Sequence, residues 1–260
     1  MKIINLENNN SNIFTGDMHG YFENFMHVIC NIENFENCNI FILGDIGVGF
    51  YKENYYVNLF NKMNKKLKNK NIILLFIRGN HDDPSYFETD KFNTSNIIFV
   101  DDFDIVKTKD DNILCIGGAI SIDRTIRWKF DKLTQQIVND GYWENEKIKD
   151  IPENFGNFIK DININIICTH CAPNFIENNY TGIPSYYTDK DETLITDVIN
   201  NQQILDNLYN DYFKNKILKW YYGHYHYNKF TEFDNIDFIC IKDLVGHQIS
   251  YRFDYGKENN

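Results

Sequence analysis

Long apolar runs are missing from this chain. The most extended, Ile72 to Ile77, falls far short of the ~20 residues needed to cross a bilayer. The start, Met1-Lys2-Ile3-Ile4, turns polar at once. Neither a membrane span nor a secretory leader is therefore expected. Cysteine is sparse and irregular: six residues in 260 make no disulfide framework, so free thiols in a reducing cytoplasm are the expectation. The local pattern Cys168-Thr169-His170-Cys171 lacks the second pair a zinc ribbon needs, and it follows a strand instead of opening a helix as a redox motif would. Proline appears four times, and no Gly/Ser-rich or Pro-rich linker and no internal repeat divides the chain. One domain over residues 1–255, with a frayed end at 256–260, is the simplest organisation. Basic residues are in deficit, 26 against 37 acidic for a net charge of -11. That balance repels a nucleic acid backbone. It says less about a site holding dications, which would reverse the local potential met by a phosphate.

What is present is enough for a large core, since 43% of the residues are hydrophobic. Short apolar runs at Asn12 to Thr15, Asn39 to Leu43, Ile72 to Ile77, Ile97 to Val100, Ile113 to Ile116 and Ile162 to Cys168 read as strands. Between them, Phe22, Phe25, Met26 and Ile29 form one helical stripe, and Tyr56, Leu59, Phe60, Met63 and Leu67 another. The β-α-β-α-β order predicts an α/β fold with parallel pairing and helices on the sheet. A further helix is expected over Leu194 to Leu218. Trp220 to Tyr222, Lys229 to Phe233, Phe238 to Ile241 and Ile249 to Phe253 read as hairpins of a second sheet.

Ligand-type residues follow successive strands: Gly16-Asp17-Met18-His19-Gly20, Gly44-Asp45, Gly79-Asn80-His81-Asp82, Thr169-His170 and Gly223-His224-Tyr225-His226. Binding sites of open α/β sheets form at those strand ends. A glycine precedes the first ligand in four of the five clusters, which predicts a sharp backbone turn there. Asp17 and His19 are two residues apart, as are His224 and His226, so in an extended segment each pair would share a face. Imidazole with carboxylate suits Mn, Fe, Zn, Co or Ni better than Ca or Mg. Asp45 can bridge two such ions, with a bridging hydroxide completing the pair. Two ions so placed generate a nucleophile at neutral pH and clamp phosphate oxygens. His27 and His247 lie outside these clusters and carry no assigned function.

GDMHG, GDIGVG, RGNHD, TH and GHYH, in that order from Gly16 to His226, resemble the calcineurin-like metallophosphoesterase family. The resemblance implies a four-layer α/β/β/α sandwich of two mixed sheets. It also implies one divalent ion on Asp17, His19, Asp45 and His226, a second on Asp45, Asn80, His170 and His224, and manganese as the first candidate metal. His81 would stand beside the ions without binding them, free to give a proton to the departing alkoxide or stabilise the phosphoryl charge. Asp82 would orient it. Arg78 occupies a position that contacts phosphate in the Ser/Thr phosphatase branch, where its planar fork is apt. That branch carries an Asp-Arg pair after its second GD, whereas this chain reads Gly44-Asp45-Ile46-Gly47-Val48-Gly49.

The segment Gly117 to Arg124, with Arg127-Trp128 and Trp143-Glu144 beyond it, looks like a feature of a bacterial and phage subset, and Arg124 or Arg127 would reach substrate from a loop. The lysines at 62, 65, 66, 68 and 70 read as the solvated end of a helix. The reading is a hydrolase of phosphomonoesters or phosphodiesters, acting on a small molecule or a phosphorylated macromolecule. Its rivals are a nuclease of the same fold, which the acidic balance disfavours, and a non-catalytic protein-binding scaffold, in which ligand positions tend to be lost whereas here all are filled.

Overall fold

The structure, a computed structural model, describes residues 1–6, 9, 11–127, 141–177, 182–214, 216–244 and 251–254. Its strands are β1 (Ile3–Leu6), β2 (Ser11–Thr15), β3 (Cys38–Ile42), β4 (Ile72–Phe76), β5 (Ile97–Phe99), β6 (Asp104–Thr108), β7 (Asn112–Ile116), β8 (Ile166–Thr169), β9 (Lys219–Tyr222), β10 (Lys229–Phe233), β11 (Ile236–Cys240) and β12 (Tyr251–Asp254). The helices are α1 (Phe22–His27), α2 (Glu53–Lys70), α3 (Phe155–Ile159), α4 (Ser185–Thr188) and α5 (Leu194–Leu208). One sheet has the order β12-β2-β3-β4-β5, the other β1-β6-β7-β8-β9-β11-β10. Both mix parallel and antiparallel pairs.

Alternation along the strands explains the layering. Ile13, Ile40, Ile42, Leu74 and Phe76 point outward and pack with Phe22 and Phe25 of α1 and Tyr56 and Phe60 of α2. Their neighbours Phe14, Phe41, Leu43, Leu75 and Ile77 point inward and meet Ile113, Cys115, Ile166, Cys168, Tyr221 and Ile239 of the second sheet. Phe14 and Tyr221 stack across that seam with ring centres 4.0 Å apart. On the far face, Leu114, Ile116, Ile167, Trp220 and Phe238 bury against Leu205 and Leu208 of α5. Three apolar layers thus separate four layers of secondary structure, the α/β/β/α sandwich. Strands covered on both faces have no polar side, which is why they read as continuous apolar runs. Removing a ring from the seam, as in Phe41→Ala, is expected to destabilise the fold by about 3–5 kcal/mol.

Four sequence expectations need correction. The helix expected to continue to Leu218 ends at Leu208 and passes through one wider turn over Tyr209–Phe213. The strand expected from Ile162 begins at Ile166. The tail is not a run of second-sheet hairpins: β10 and β11 do form one, but β11 pairs in parallel with β9, and β12 crosses to lie antiparallel to β2 in the first sheet. Strands β1 and β6 were not anticipated; each mixes exposed or polar positions with apolar ones, and they pair with each other at one edge. The segment 256–260 and Trp128 lie outside the described residues. Among the described residues no helix is long and apolar enough to cross a membrane.

Candidate metal centre

Backbone hydrogen bonds carry the strand ends into one cluster of loops. Leu43 N–H donates to Thr15 O (3.0 Å), Ile77 N–H to Ile42 O (3.0 Å) and Gly223 N–H to His170 O (3.0 Å), so the residues after β2, β3, β4, β8 and β9 emerge together. The glycines there answer mainly to crowding. A Cβ on Gly44 would lie 2.0 Å from His170 Nδ1, and one on Gly79 would lie 2.0 Å from Asp45 Oδ1, so neither position admits a side chain. Of these glycines Gly44 also makes the expected turn, at φ +106°, and further sharp turning falls on the ligand-type residues themselves: His19, Asp45, His224 and His226 have φ of 50°, 47°, 69° and 56°. The extended segments expected around Asp17 and His224 are therefore replaced by left-handed turns. For non-glycine residues such turns cost of order 1–3 kcal/mol each and persist only where the surroundings enforce them. Asp45 O, which accepts from His19 N (2.6 Å) and Met18 N (3.2 Å), supplies part of that enforcement.

Two donor groups result. In the first, Asp17 Oδ2 lies 3.2 Å from His226 Nε2 and 3.8 Å from His19 Nε2, and the two imidazole nitrogens are 3.1 Å apart. In the second, His170 Nε2 lies 2.9 Å from Asn80 Oδ1 and 3.4 Å from Asp45 Oδ1, with the His224 ring 4.8 Å from the His170 ring. Asp45 stands between them, its Oδ2 3.9 Å from His19 Nδ1 and its Oδ1 turned to His170. His170 Nδ1 donates to Leu43 O at 2.7 Å. A carbonyl can only accept, so the neutral ring presents its Nε2 lone pair to Asn80 and Asp45, the tautomer that a cation requires.

The electrostatics favour a cation at both places. Burial pushes the Asp17 carboxyl up, but the contact with His226, the charge of His170 and the N–H of His224 outweigh it and hold the group at about 2. Burial, with Asp17 and Asp82 nearby, drives Asp45 far above the usual carboxylate range. Burial keeps His19, His170 and His224 below the ordinary imidazole value, so their lone pairs are free to bind metal. His226 moves up, drawn by Asp17. Asp17 Oδ2 is buried and, despite the nearness of His226, has no aligned hydrogen-bond donor. A buried carboxylate oxygen left without a donor is costly unless something positive reaches it. Asp17, His19 and His226 form one set of converging ligand atoms, and Asp17, Asp45 and His170 another; these residues fit divalent metals.

Residues 13–251 match the family model for calcineurin-like phosphoesterases. The chain belongs to that family. It is accordingly a metal-dependent phosphoester hydrolase, and the family implies two divalent metals. A dimetal phosphatase from Danio rerio is similar in fold, at TM-score 0.55 and 11% identity over 97% of this chain and 94% of that one. The Thermus thermophilus protein TT1561 (TM-score 0.48, 12% identity, 90% and 89% covered) and the phosphopantetheinyl hydrolase PptH of Mycobacterium tuberculosis (0.45, 10%, 90% and 89%) are more distant. No curated protein matches the chain in sequence.

Around the candidate metal-holding residues of this phosphoesterase opens a cavity of about 510 Å³, lined by Asp45, Asn80, His81, Arg127, His224 and His226 among others, with Ile120, Ile183 and Tyr187 on its walls. Arg127 Nη1 lies 2.8 Å from His81 Nδ1 and also donates to Gly141 O, while its Nε binds Asp123 (2.9 Å). A guanidinium only donates, and Nη2 of Arg127 also lies 3.4 Å from His81 Nε2, but the shorter 2.8 Å contact makes Nδ1 the acceptor and leaves the ring hydrogen on Nε2. Burial, and then the charge of Arg127, pull His81 down to about 3.

Three expectations are corrected here. Asp82 does not orient His81: its fully buried carboxylate accepts backbone N–H groups from Ile46 (3.0 Å), Gly47 (2.7 Å), Val48 (3.2 Å) and Gly79 (2.8 Å). It clamps the loop after β3 to the loop after β4. Arg78 is buried and turned from the cavity, bound to Asp102 (3.0 Å) and to the carbonyls of Glu146 (2.6 Å) and Lys147 (3.0 Å), so its fork is not open to phosphate. Arg124 is held by Asp191 and Asp197 and does not line the cavity beside Asp45 and Asn80. Asp243 was missed: it has a buried oxygen without a hydrogen-bond partner, its charge acts on His19 and His226, and a lone Asp after β11 carries no motif.

Proposed function

We propose that this phosphoesterase hydrolyses phosphomonoesters or phosphodiesters using Asp17, His19, Asp45 and His226 to hold one divalent cation and Asp45, Asn80, His170 and His224 to hold the second. The observation that carries this is the pair of carboxylates: Asp17 offers a buried oxygen without a donor, and Asp45 turns one oxygen to each donor group. Bound there, two divalent cations supply a hydroxide nucleophile at neutral pH and positive charge for the phosphoryl oxygens. The chain's own groups do the rest. Arg127 lines the cavity with its Nε held by Asp123 and its Nη1 by His81 and Gly141 O, so it brings positive charge and its Nη2 edge to the phosphoryl oxygens. His81, kept neutral by burial and by the charge of Arg127, offers its ring N–H as a hydrogen bond that stabilises the charge developing on the phosphoryl or leaving-group oxygen, while a neutral imidazole is too weak an acid to yield that hydrogen to the alkoxide. Phosphorus is attacked directly, and no covalent phosphoenzyme forms.

A cavity of about 510 Å³ admits a small phosphoester or the phosphorylated side chain of a macromolecule. The imidazole and carboxylate donors suit manganese, with Fe, Zn, Ni and Co able to substitute. The six cysteines are buried and too sparsely spaced for a disulfide framework, which supports a reducing compartment such as the cytoplasm as the site of action. The test is hydrolysis of an aryl phosphate by purified protein after chelation and after return of Mn²⁺, Ni²⁺ or Zn²⁺. Activity is expected only with metal, and Asp45→Asn is expected to abolish it. Turnover in the chelated enzyme, or wild-type turnover in Asp45→Asn, would overturn the proposal.

A further inference from the structure

We infer that Ser121 and Glu146, which belong to none of the ligand clusters, act as positioning residues that hold the Asn80 side-chain amide with its oxygen, not its nitrogen, toward the second cation position. The inference rests on Asn80 being a ligand, as proposed above.

An amide side chain has two nearly isosteric faces, one accepting and one donating. Only the oxygen can ligate a cation, so something must fix which face looks at His170 and Asp45. Asn80 is buried, and its Nδ2 donates to Ser121 Oγ at 2.9 Å. Ser121 Oγ in turn donates to Glu146 Oε2 at 2.7 Å, and Ser121 N–H donates to Glu146 Oε1 at 2.6 Å. Ionised Glu146, the form present above about pH 7, accepts only, so the serine hydroxyl is there committed as a donor to Glu146 and keeps a lone pair for the Asn80 NH₂. The direction of every bond follows from Glu146. If Asn80 were turned over, its oxygen would meet a hydroxyl whose hydrogen is already used, and its NH₂, which cannot ligate a cation, would take the place of that oxygen beside His170 Nε2.

The relay is itself rigidly held. Ser121 and Glu146 are 2% and 1% exposed, and the Glu146 carbonyl accepts from Arg78 Nη1 at 2.6 Å and from Ala119 N–H at 3.3 Å. Gly118, at φ +94°, would place a Cβ 2.6 Å from Glu146 O, and Gly117 would place one 2.5 Å from Arg78 O, so the pair lets this loop close against Glu146 on one side and Arg78 on the other. Arg78, which does not face phosphate, thereby acquires a role: it fixes the residue on whose carboxylate the orientation of Asn80 depends. Partners of this kind, one step removed from a metal, commonly change metal affinity 10- to 100-fold when altered.

The test is a calorimetric titration, at pH 8 where Glu146 is ionised, of the chelated full-length protein with Mn²⁺, compared among wild type, Ser121→Ala, Ser121→Thr and Glu146→Gln. Wild type is expected to bind two ions in separable steps. Ser121→Ala removes the acceptor. Glu146→Gln keeps the size but offers an NH₂ to the serine, freeing the hydroxyl hydrogen to draw the Asn80 oxygen away. Both are expected to weaken one step about 10- to 100-fold and leave the other within about 3-fold, while Ser121→Thr restores it. Two wild-type steps in both variants, or equal weakening of both steps, as general loosening would give, overturns the inference. A wild type that binds fewer than two ions overturns the underlying reading as well, so the two failures are told apart by the wild-type curve.

Discussion

Replacing Asp82 by Asn separates two accounts of a residue lying two positions beyond Asn80. In the structure each Asp82 oxygen serves two backbone donors: Gly47 and Val48 on Oδ1, Ile46 and Gly79 on Oδ2. The Asn side chain keeps one oxygen and turns an NH₂ toward the other two donors. Hydrogen bonds to a charged acceptor are worth about 1.5–3 kcal/mol each, so losing two costs about 3–6 kcal/mol, before the repulsion between facing donors is counted. For a protein of this size about 1 kcal/mol shifts Tm by about 2–4 °C, which predicts a fall on the order of 10 °C in the chelated protein. Differential scanning calorimetry with and without Mn²⁺ measures it. Turnover should also fall, because Ile46 adjoins Asp45 and Gly79 adjoins Asn80. Were Asp82 instead the orienting partner of His81, turnover would drop with Tm unchanged. That outcome, a Tm within about 1 °C of wild type, refutes the clamp.

Further expectations follow from the same contacts. Arg127→Ala should lower kcat/KM about 10- to 100-fold through loss of a charged hydrogen-bonded partner for phosphate, whereas Arg124→Ala should leave steady-state kinetics within about 3-fold; equal losses would show that both arginines touch substrate. Gly44→Ala forces a Cβ against His170 Nδ1 at a φ of +106° and should release metal from the His170 group, read as a lower ion count per chain; full occupancy would show that the loop yields. Burial raises the Glu146 carboxyl from 4.5 to about 7. An acid raised in the folded state contributes stability that is complete below its unfolded value and is lost as pH rises through about 7. At about 1.4 kcal/mol per pH unit this is worth about 3 kcal/mol, so the chelated wild type should lose stability between pH 5 and 8 while Glu146→Gln changes less; parallel profiles would contradict it.

How much of this was legible in the sequence depended on where the signal sat. The strands β2, β3 and β4 are apolar on both faces, so their runs were unmistakable, and the ligand-type residues directly after them were found because strand ends converge. The edge strand β1 and its neighbour β6 mix polar and apolar positions and gave little pattern. Turn conformation was misread at His19 and His226, because two residues in a left-handed turn and two in a strand have the same spacing. Arg78 and Asp82 were read from motif neighbours, yet their partners come from elsewhere: Asp102 and Glu146 lie 24 and 68 residues from Arg78, and Asp82 binds main-chain N–H groups that no sequence displays. Ser121 stood inside a segment already singled out. Its partner Glu146 carried no signal, since one buried carboxylate among 37 acidic residues looks like the others.

Anomalous diffraction from a crystal grown with Mn²⁺ examines the dimetal arrangement most directly. Two peaks roughly 3.5–4 Å apart are expected, one touching Asp17, His19 and His226, the other touching Asn80, His170 and His224, with Asp45 reaching both. A single peak, or two peaks that do not share Asp45, would contradict it.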